Sequence, residues 1–170
     1  ANVSGGLDID TGTLTVSAAL TGDVDVAAGA SYDQNNGLTG NLISSGTTTL
    51  AGNVSGTVAQ SAGSVTVDGA STLTGAVTIS GGSFTASAQT TLGAGLSNDG
   101  TLDINAAVLG GQTLTNTKAA TIGANITGSF VQNTDAAATT TVDGVANVSG
   151  GLDIDTGTLT VSAALTGDVD

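Results

Sequence analysis

The sequence predicts an all-β protein, a parallel β-helix (β-solenoid) of about 18 residues per coil, on three observations. Apolar residues alternate with Thr, Ser or Asp in runs such as GTLTV, GSVTV and GDVDV, the period of a half-buried strand. These runs return at a nearly constant interval, which marks a stacked repeat. Strong helix formers other than Ala and Leu are almost missing: there is no Glu, Arg or Met and one Lys, whereas Thr, Val and Ile are plentiful. Low charge with much Gly, Ser and Thr also fits a disordered chain, but aliphatic side chains in register are what such chains lack.

One strand motif reads Gly, Thr or Ser, apolar or Thr, Thr, apolar. It runs GTLTV at Gly12, GASYD at Gly29, GTTTL at Gly46, GSVTV at Gly63, GSFTA at Gly82, GTLDI at Gly100, KAATI at Lys118, ATTTV at Ala138 and GTLTV again at Gly157. Eight nearly equal steps therefore lead from Gly12 to Gly157, and each step is one coil. Between them lies a second motif: VSGGL from Val3, LTGDV from Leu20, LTGNL from Leu38, VSGTV from Val54, LTGAV from Leu73 and ITGSF from Ile126. LGAGL from Leu92 moves the Gly, and VLGGQ from Val108 breaks the pattern. A coil of this length holds two or three short strands and no helix. Parallel stacking at ~4.8 Å advances eight coils by roughly 38 Å.

A longer repeat encloses the short one. The stretch 1–25 returns without substitution as 146–170. Positions 1–145 therefore read as one complete tandem unit and 146–170 as the start of the next, a single continuous solenoid. Nothing in either stretch has the polar character of a terminal cap.

Alternation also assigns faces. In LTGDVDV, Leu20, Gly22, Val24 and Val26 point inward and Thr21, Asp23 and Asp25 outward; in GTLTV, Leu14 and Val16 are inside and Thr13 and Thr15 outside. The Gly recurring at the inward centre of the second motif (Gly5, Gly22, Gly40, Gly56, Gly75, Gly128) suggests a narrow cross-section, with an opposite wall close by. The same alignment puts Tyr32, Asp103 and Ala119 among outward Ser and Thr pairs.

Repeats of this length, rich in Gly, Thr, Asn and Asp, with motifs such as GTLTV and NVSG and no Cys, resemble the shafts of large secreted bacterial surface proteins, the filamentous haemagglutinin-like and autotransporter-type adhesins. The resemblance spans the chain and is one of repeat style. It implies a right-handed parallel β-helix, export to the cell surface or beyond, and a role as stalk, fibre or adhesive surface. It carries over no site residues.

Without His, Cys, Glu or Arg, nucleophile–base triads and zinc sites of nitrogen or sulfur cannot be assembled. A lyase acting on acidic sugars would need basic groups, and Lys118 is alone. Asp8, Asp10, Asp23 and Asp25 could meet the spacing of a glycosidase pair but lack the tuned acid–base partners of general catalysis. No enzymatic activity is expected.

Aligning the second motif sets Asp8 beside Asp25 and Gly6 beside Asp23, with Asp10 two places along. The same cluster returns as Asp153, Asp155, Asp168 and Asp170. Two readings stand: a solvated acidic face that keeps a long fibre soluble, or carboxylates bridged by Ca²⁺; the nonapeptide of calcium-binding β-rolls is absent. Outward Thr rows resemble the ice-binding face of antifreeze β-helices, though β-propensity alone also produces them. Asn98 and Asn116 hold matching places and predict a short amide ladder at a corner. Four N-x-S/T sequons, at Asn2, Asn53, Asn125 and Asn147, fall at or near starts of the second motif. One unit carries 10 Asp against one Lys, so nucleic acid and anionic membranes are disfavoured partners; neighbouring identical repeats, other fibres, neutral glycans and surfaces remain. Insertion of this segment in a membrane is not expected, since it has no long apolar run and too few aromatics for barrel girdles.

Overall fold

A computed structural model of the chain describes residues 2–132 and 135–170, so Ala1, the first residue of the repeated stretch, lies outside the described residues. The described residues contain strands and turns and no helix, and every strand pairing is parallel. The chain is a β-solenoid of about nine turns, each with three walls. A short first wall holds Leu20–Thr21, Leu38–Thr39, Ser71–Leu73 and Thr90–Leu92. The second wall runs from Leu7–Ile9 and Val24–Val26 through Leu42–Ser44, Val58–Gln60, Val77–Ile79 and Leu96–Asn98 to Leu152–Ile154. The third is a nine-stranded sheet from Thr13–Val16 to Thr158–Val161.

Stacking the same position of successive coils produces columns, and each inward column is a nearly continuous apolar stack. One runs Leu7, Val24, Leu42, Val58, Val77, Leu96, Leu114, Phe130 and Leu152. Such a core is thin, but each coil covers both faces of its neighbours, so stability accumulates with length. Nearly all the apolar members of the interior coils are sealed from solvent.

The structure departs from the sequence expectation at two places. In the second coil the register is one residue later than the Gly29 alignment gives: Thr13, Leu14, Thr15 and Val16 pair with Ser31, Tyr32, Asp33 and Gln34. A one-residue shift sends every side chain to the opposite face, so Tyr32 is buried, at 1% exposure, instead of interrupting the outward row. The step from Thr13 to Ser31 is longer by one than the alignment gives and the step from Ser31 to Thr47 shorter by one, so the two changes cancel over the unit. Burial of an aromatic ring outweighs the position of a turn glycine.

The recurrent glycines of the second motif mark a different constraint from the one expected. A Cβ at Gly40, Gly56 or Gly75 would lie 2.2–2.5 Å from the carbonyl oxygen of Gly22, Gly40 or Gly56 respectively, the same position one coil below. The close neighbour is therefore the adjacent coil at the corner between first and second walls, and not an opposite wall. Gly22 has a φ of 132° as well, a region that L side chains avoid. Gly5 has open space around its Cβ position because it stands in the first described coil, whereas its counterpart Gly150 would meet Gly128 of the coil below at 2.7 Å; residues 2–7 span what residues 21–24 span in the next coil, so Ser4 and Gly5 arch out of the ladder. In the VLGGQ coil the register slips between Val108 and Gln112, so the break in the motif is a real irregularity that fuses first and second walls into the strand Val108–Asn116.

Tyr32 gives a direct test of the corrected register. Burial pushes its phenol up from 10.0 to about 12. A raised pKa stabilises the fold below the unfolded value, and this contribution drains away as pH rises from about 10 through about 12. Ultraviolet titration of this sole Tyr, with no Trp present, should show phenolate forming near pH 12 in the native protein and near 10 in denaturant. Native titration at the ordinary value would place the ring outside.

Candidate functional site

Three groups of polar side chains could carry function: the Asp cluster, the hydroxyl rows of the third wall, and a buried polar column between second and third walls.

The structure places Asp8 beside Asp25 as register partners on the second wall, and Asp23 beside Gly6, where the Leu7 amide donates to the Asp23 carbonyl at 2.8 Å. Asp10 stands past the end of the strand. Asp8, Asp10, Asp23 and Asp25 are all exposed. With the arch of Ser4 and Gly5, Asp8, Asp23 and Asp25 line a shallow, open depression. In the second copy Asp153 pairs with Val131 on one side and lies beside Asp170 on the other, since Leu152 bridges Val169. A like depression there is lined by Gly150, Gly151, Asp153, Asp168 and Asp170. Asp155 is exposed after Ile154.

The carboxylates thus form cross-coil pairs, and among the described residues no three of them gather as a metal-holding group. Asp23 has a structural duty: its Oδ1 accepts the backbone N–H of Asn41 at 2.7 Å. One coil on, Asn41 Oδ1 accepts the Thr57 N–H at 2.9 Å. Asn53 Oδ1 takes the Thr72 N–H at 2.8 Å, and Asn125 Oδ1 the Asn147 N–H at 2.9 Å. These Asp and Asn side chains tie one coil to the next at the outer edges of the corners. This gives Asn53 and Asn125 a reason to recur that is independent of glycosylation.

On the third wall the corrected register leaves two outward columns. The first reads Thr13, Ser31, Thr47, Ser64, Ser83, Thr101, Ala119, Thr139 and Thr158; the second replaces Thr only at Asp33 and Asp103. The hydroxyl face is therefore more continuous than the motif alignment implies. Beside the turn after Asn116, the Lys118 ammonium pairs with Asp135 at 2.9 Å. That hydrogen bond holds the Lys118 pKa up and the Asp135 pKa down, but the pair is open to water and screened by salt.

The buried column is the feature that sequence reading catches only in part. At the last position of the second wall stand Ile9, Val26, Ser44, Gln60, Ile79, Asn98, Asn116, Gln132 and Ile154. The expected ladder is present: Asn98 Nδ2 donates to Asn116 Oδ1 at 2.7 Å, and Asn116 Nδ2 to Gln132 Oε1 at 3.2 Å. Thr140 extends it, donating to Gln132 Oε1 at 2.7 Å. The same amides satisfy turn carbonyls, Asn98 reaching Ala119 at 2.9 Å and Gln132 reaching Thr156 at 2.6 Å. Buried amides bonded in this way pin the register, because a slip would orphan them. Gln60 shows the converse: it stands between Ser44 and Ile79 in the column, the Ser44 hydroxyl bonds Thr48 instead, Ile79 offers no donor, and the Gln60 Oε1 is buried without a partner. The signal in the sequence is a Gln at the end of VAQ and SFVQ where other coils carry Val or Ile.

Comparison with family models, curated proteins and solved structures finds no match to the chain. The assignment as a parallel β-solenoid rests on the ladder registers themselves.

Two outcomes follow from this geometry. Asn116→Ala removes the middle of the ladder, and Asn98 and Gln132 each lose one bond while keeping those to Ala119 and from Thr140, so denaturant melts should show a loss of about 0.5–1.5 kcal/mol for each hydrogen bond removed. Because the carboxylates stand in pairs, millimolar Ca²⁺ against chelator should leave the melting temperature unchanged. A clear rise with Ca²⁺ would mean that the native Asp8–Asp25 ladder binds the ion.

Proposed function

We propose that the chain is a structural segment of an extracellular or cell-surface stalk or filament, without catalytic activity of its own. The observation that carries this reading is the return of the sequence 1–25 as 146–170, in the same solenoid and with the same internal strand positions, Thr13–Val16 and Thr158–Val161. A tandem array of such units adds coils without changing cross-section, and its product is length. The formal net charge of −13 on this chain supports a fibre kept apart from anionic surfaces and from unspecific association. The style of the repeats, which resembles adhesin shafts, supports the surface location.

A second reading has its own observation. With Tyr32 buried, the third wall presents a nearly unbroken Ser/Thr face over nine strands, suited to a flat neutral surface or glycan. The stalk reading and this one separate by binding: a stalk shows no saturable ligand, whereas an adhesive shaft shows one that is lost in the double variant Thr49→Lys, Thr66→Lys.

Length is the decisive measurement. Small-angle scattering of one, two and three tandem copies of the unit 1–145 should give a maximum dimension that grows by roughly 38 Å per unit, eight coils at ~4.8 Å. Units that fold back on one another, giving a dimension that rises much more slowly, would overturn the stalk reading.

A further inference from the structure

The corner from the third wall into the first carries one residue that breaks its column. Successive coils cross this corner through a short turn, and the ladder aligns the turns: the amides of Asn35, Ala51 and Asp68 donate to the carbonyls of Val16, Gln34 and Leu50. The next position holds Ala18, Gly52, Gly69, Ala88 and Ala106 in their coils, but Asn36 in the coil of Tyr32. Gly37 follows it and makes the single Asn-Gly step of the sequence.

The main chain of this turn is held from two sides. From within, the buried Gln34 donates through Nε2 to the carbonyl oxygens of Asn36 at 2.9 Å and Gly37 at 3.2 Å, and the Tyr32 hydroxyl donates to Gln34 Oε1. From the next coil, Gly52 lies on Asn36 so closely that a Cβ there would be 2.2 Å from the Asn36 carbonyl oxygen and 2.3 Å from its carbonyl carbon. The Asn36 side chain is on the open side, with the residue exposed. Its Oδ1 accepts the Gly37 N–H at 2.8 Å. That bond folds the carboxamide back over the following main-chain nitrogen, and glycine puts no side chain in the way.

We propose that Asn36 is a site of self-modification, converting to aspartate through a cyclic imide formed with the Gly37 nitrogen. In the first step the Gly37 nitrogen bonds to Asn36 Cγ, the Cγ–Nδ2 bond breaks, and Nδ2 leaves as ammonia with the Gly37 proton. In the second, water adds at Cγ, the bond from Cγ to the ring nitrogen breaks, and that nitrogen takes up a proton. Water is consumed, ammonia is released, and nothing is oxidised or reduced. A carboxylate then stands at position 36, where it still offers an oxygen to the Gly37 N–H.

The surroundings also choose how the imide opens. Attack of water on the main-chain carbonyl carbon would give isoaspartate and a longer backbone, but Gly52 covers that carbon and Gln34 holds its oxygen. Cγ faces solvent, so the ring opens to aspartate. The other asparagines are placed differently. Asn41, Asn53 and Asn125 turn Oδ1 to the next coil, Asn98 and Asn116 are buried, and a β-branched residue follows Asn53, Asn116 and Asn125, crowding the nitrogen that would attack. Each conversion adds one negative charge to an already acidic chain. The proposal stands apart from the stalk reading, which neither needs it nor falls with it.

The test holds the full chain 1–170 in mildly alkaline buffer, folded and in denaturant, and follows the change of amide to acid by mass. Fragmentation that separates Asn35 from Asn36, and aspartate from isoaspartate, locates the product. The folded chain should convert Asn36 at least as fast as the denatured chain, with aspartate as the main product. Gly37→Ala should slow conversion several-fold with an unchanged melting temperature, because Gly37 is not at positive φ and the nearest atom to an added Cβ, the Asn53 carbonyl oxygen, is 3.7 Å away. Survival of Asn36 in the folded chain while the denatured chain converts would overturn the proposal. So would an undiminished rate in Gly37→Ala, or isoaspartate as the main product of the folded chain.

Discussion

The constraint on which the rest depends is vertical stacking: every residue must share its place with the residue one coil above and one below. A parallel ladder repeats at about 4.8 Å, so each column has to be tolerable as a stack of like with like. Apolar columns satisfy this readily. At the corner between first and second walls the backbone itself is the stacked object, and Gly56 over Gly40 and Gly75 over Gly56 leave no room for a side chain. Polar residues enter the interior where their neighbours above and below can bond them, as Asn98, Asn116 and Gln132 do. Outside, carboxylates enter as the pair Asp8 and Asp25, bordered by Ile43.

This constraint explains what can be read from the chain and what cannot. The alternation in GTLTV and GSVTV and the regular interval between them are local, and they determine the fold class, the parallel sense and most of the inward residues. Tyr32 escapes such a reading because aligning Gly29 treats turns as fixed points. Turns in this solenoid absorb a residue at little cost, and the columns do not. The Gly column is legible in the sequence but its cause is not, since a glycine's environment along the axis depends on register between coils.

The Asp cluster illustrates the same limit on the functional side. Motif alignment pairs Asp8 with Asp25 correctly and finds the repeat of the cluster at Asp153 and Asp170. It cannot show that Asp23 already spends an oxygen on the Asn41 amide, nor that the carboxylates are spread along a wall without a third one closing on the pair among the described residues. Corner positions occupied by Asp23, Asn41, Asn53 and Asn125 all use a short side-chain carbonyl or carboxylate to accept an amide from the next coil. The residue type at those places is set by that reach, which Asp and Asn share.

A perfect repeat places a particular demand on such a molecule. Because each coil recognises its neighbour through a column of near-equivalent residues, identical units cannot be told apart, and a unit can in principle pair with the wrong copy of its neighbour. Within a unit this ambiguity is removed by irregularities: the bonded amides from Asn98 to Gln132, the register slip after Val108, the buried ring of Tyr32 and the arch at Ser4 and Gly5. They fall at particular coils and not at others, so a shift by one coil would set an amide against an apolar side chain or an arch against a flat strand. A shift by one whole unit meets no such penalty, since every irregularity then coincides with its own copy. The sequence therefore specifies order within a unit strongly and the identity of the unit not at all, and in one polypeptide only chain connectivity distinguishes one unit from the next.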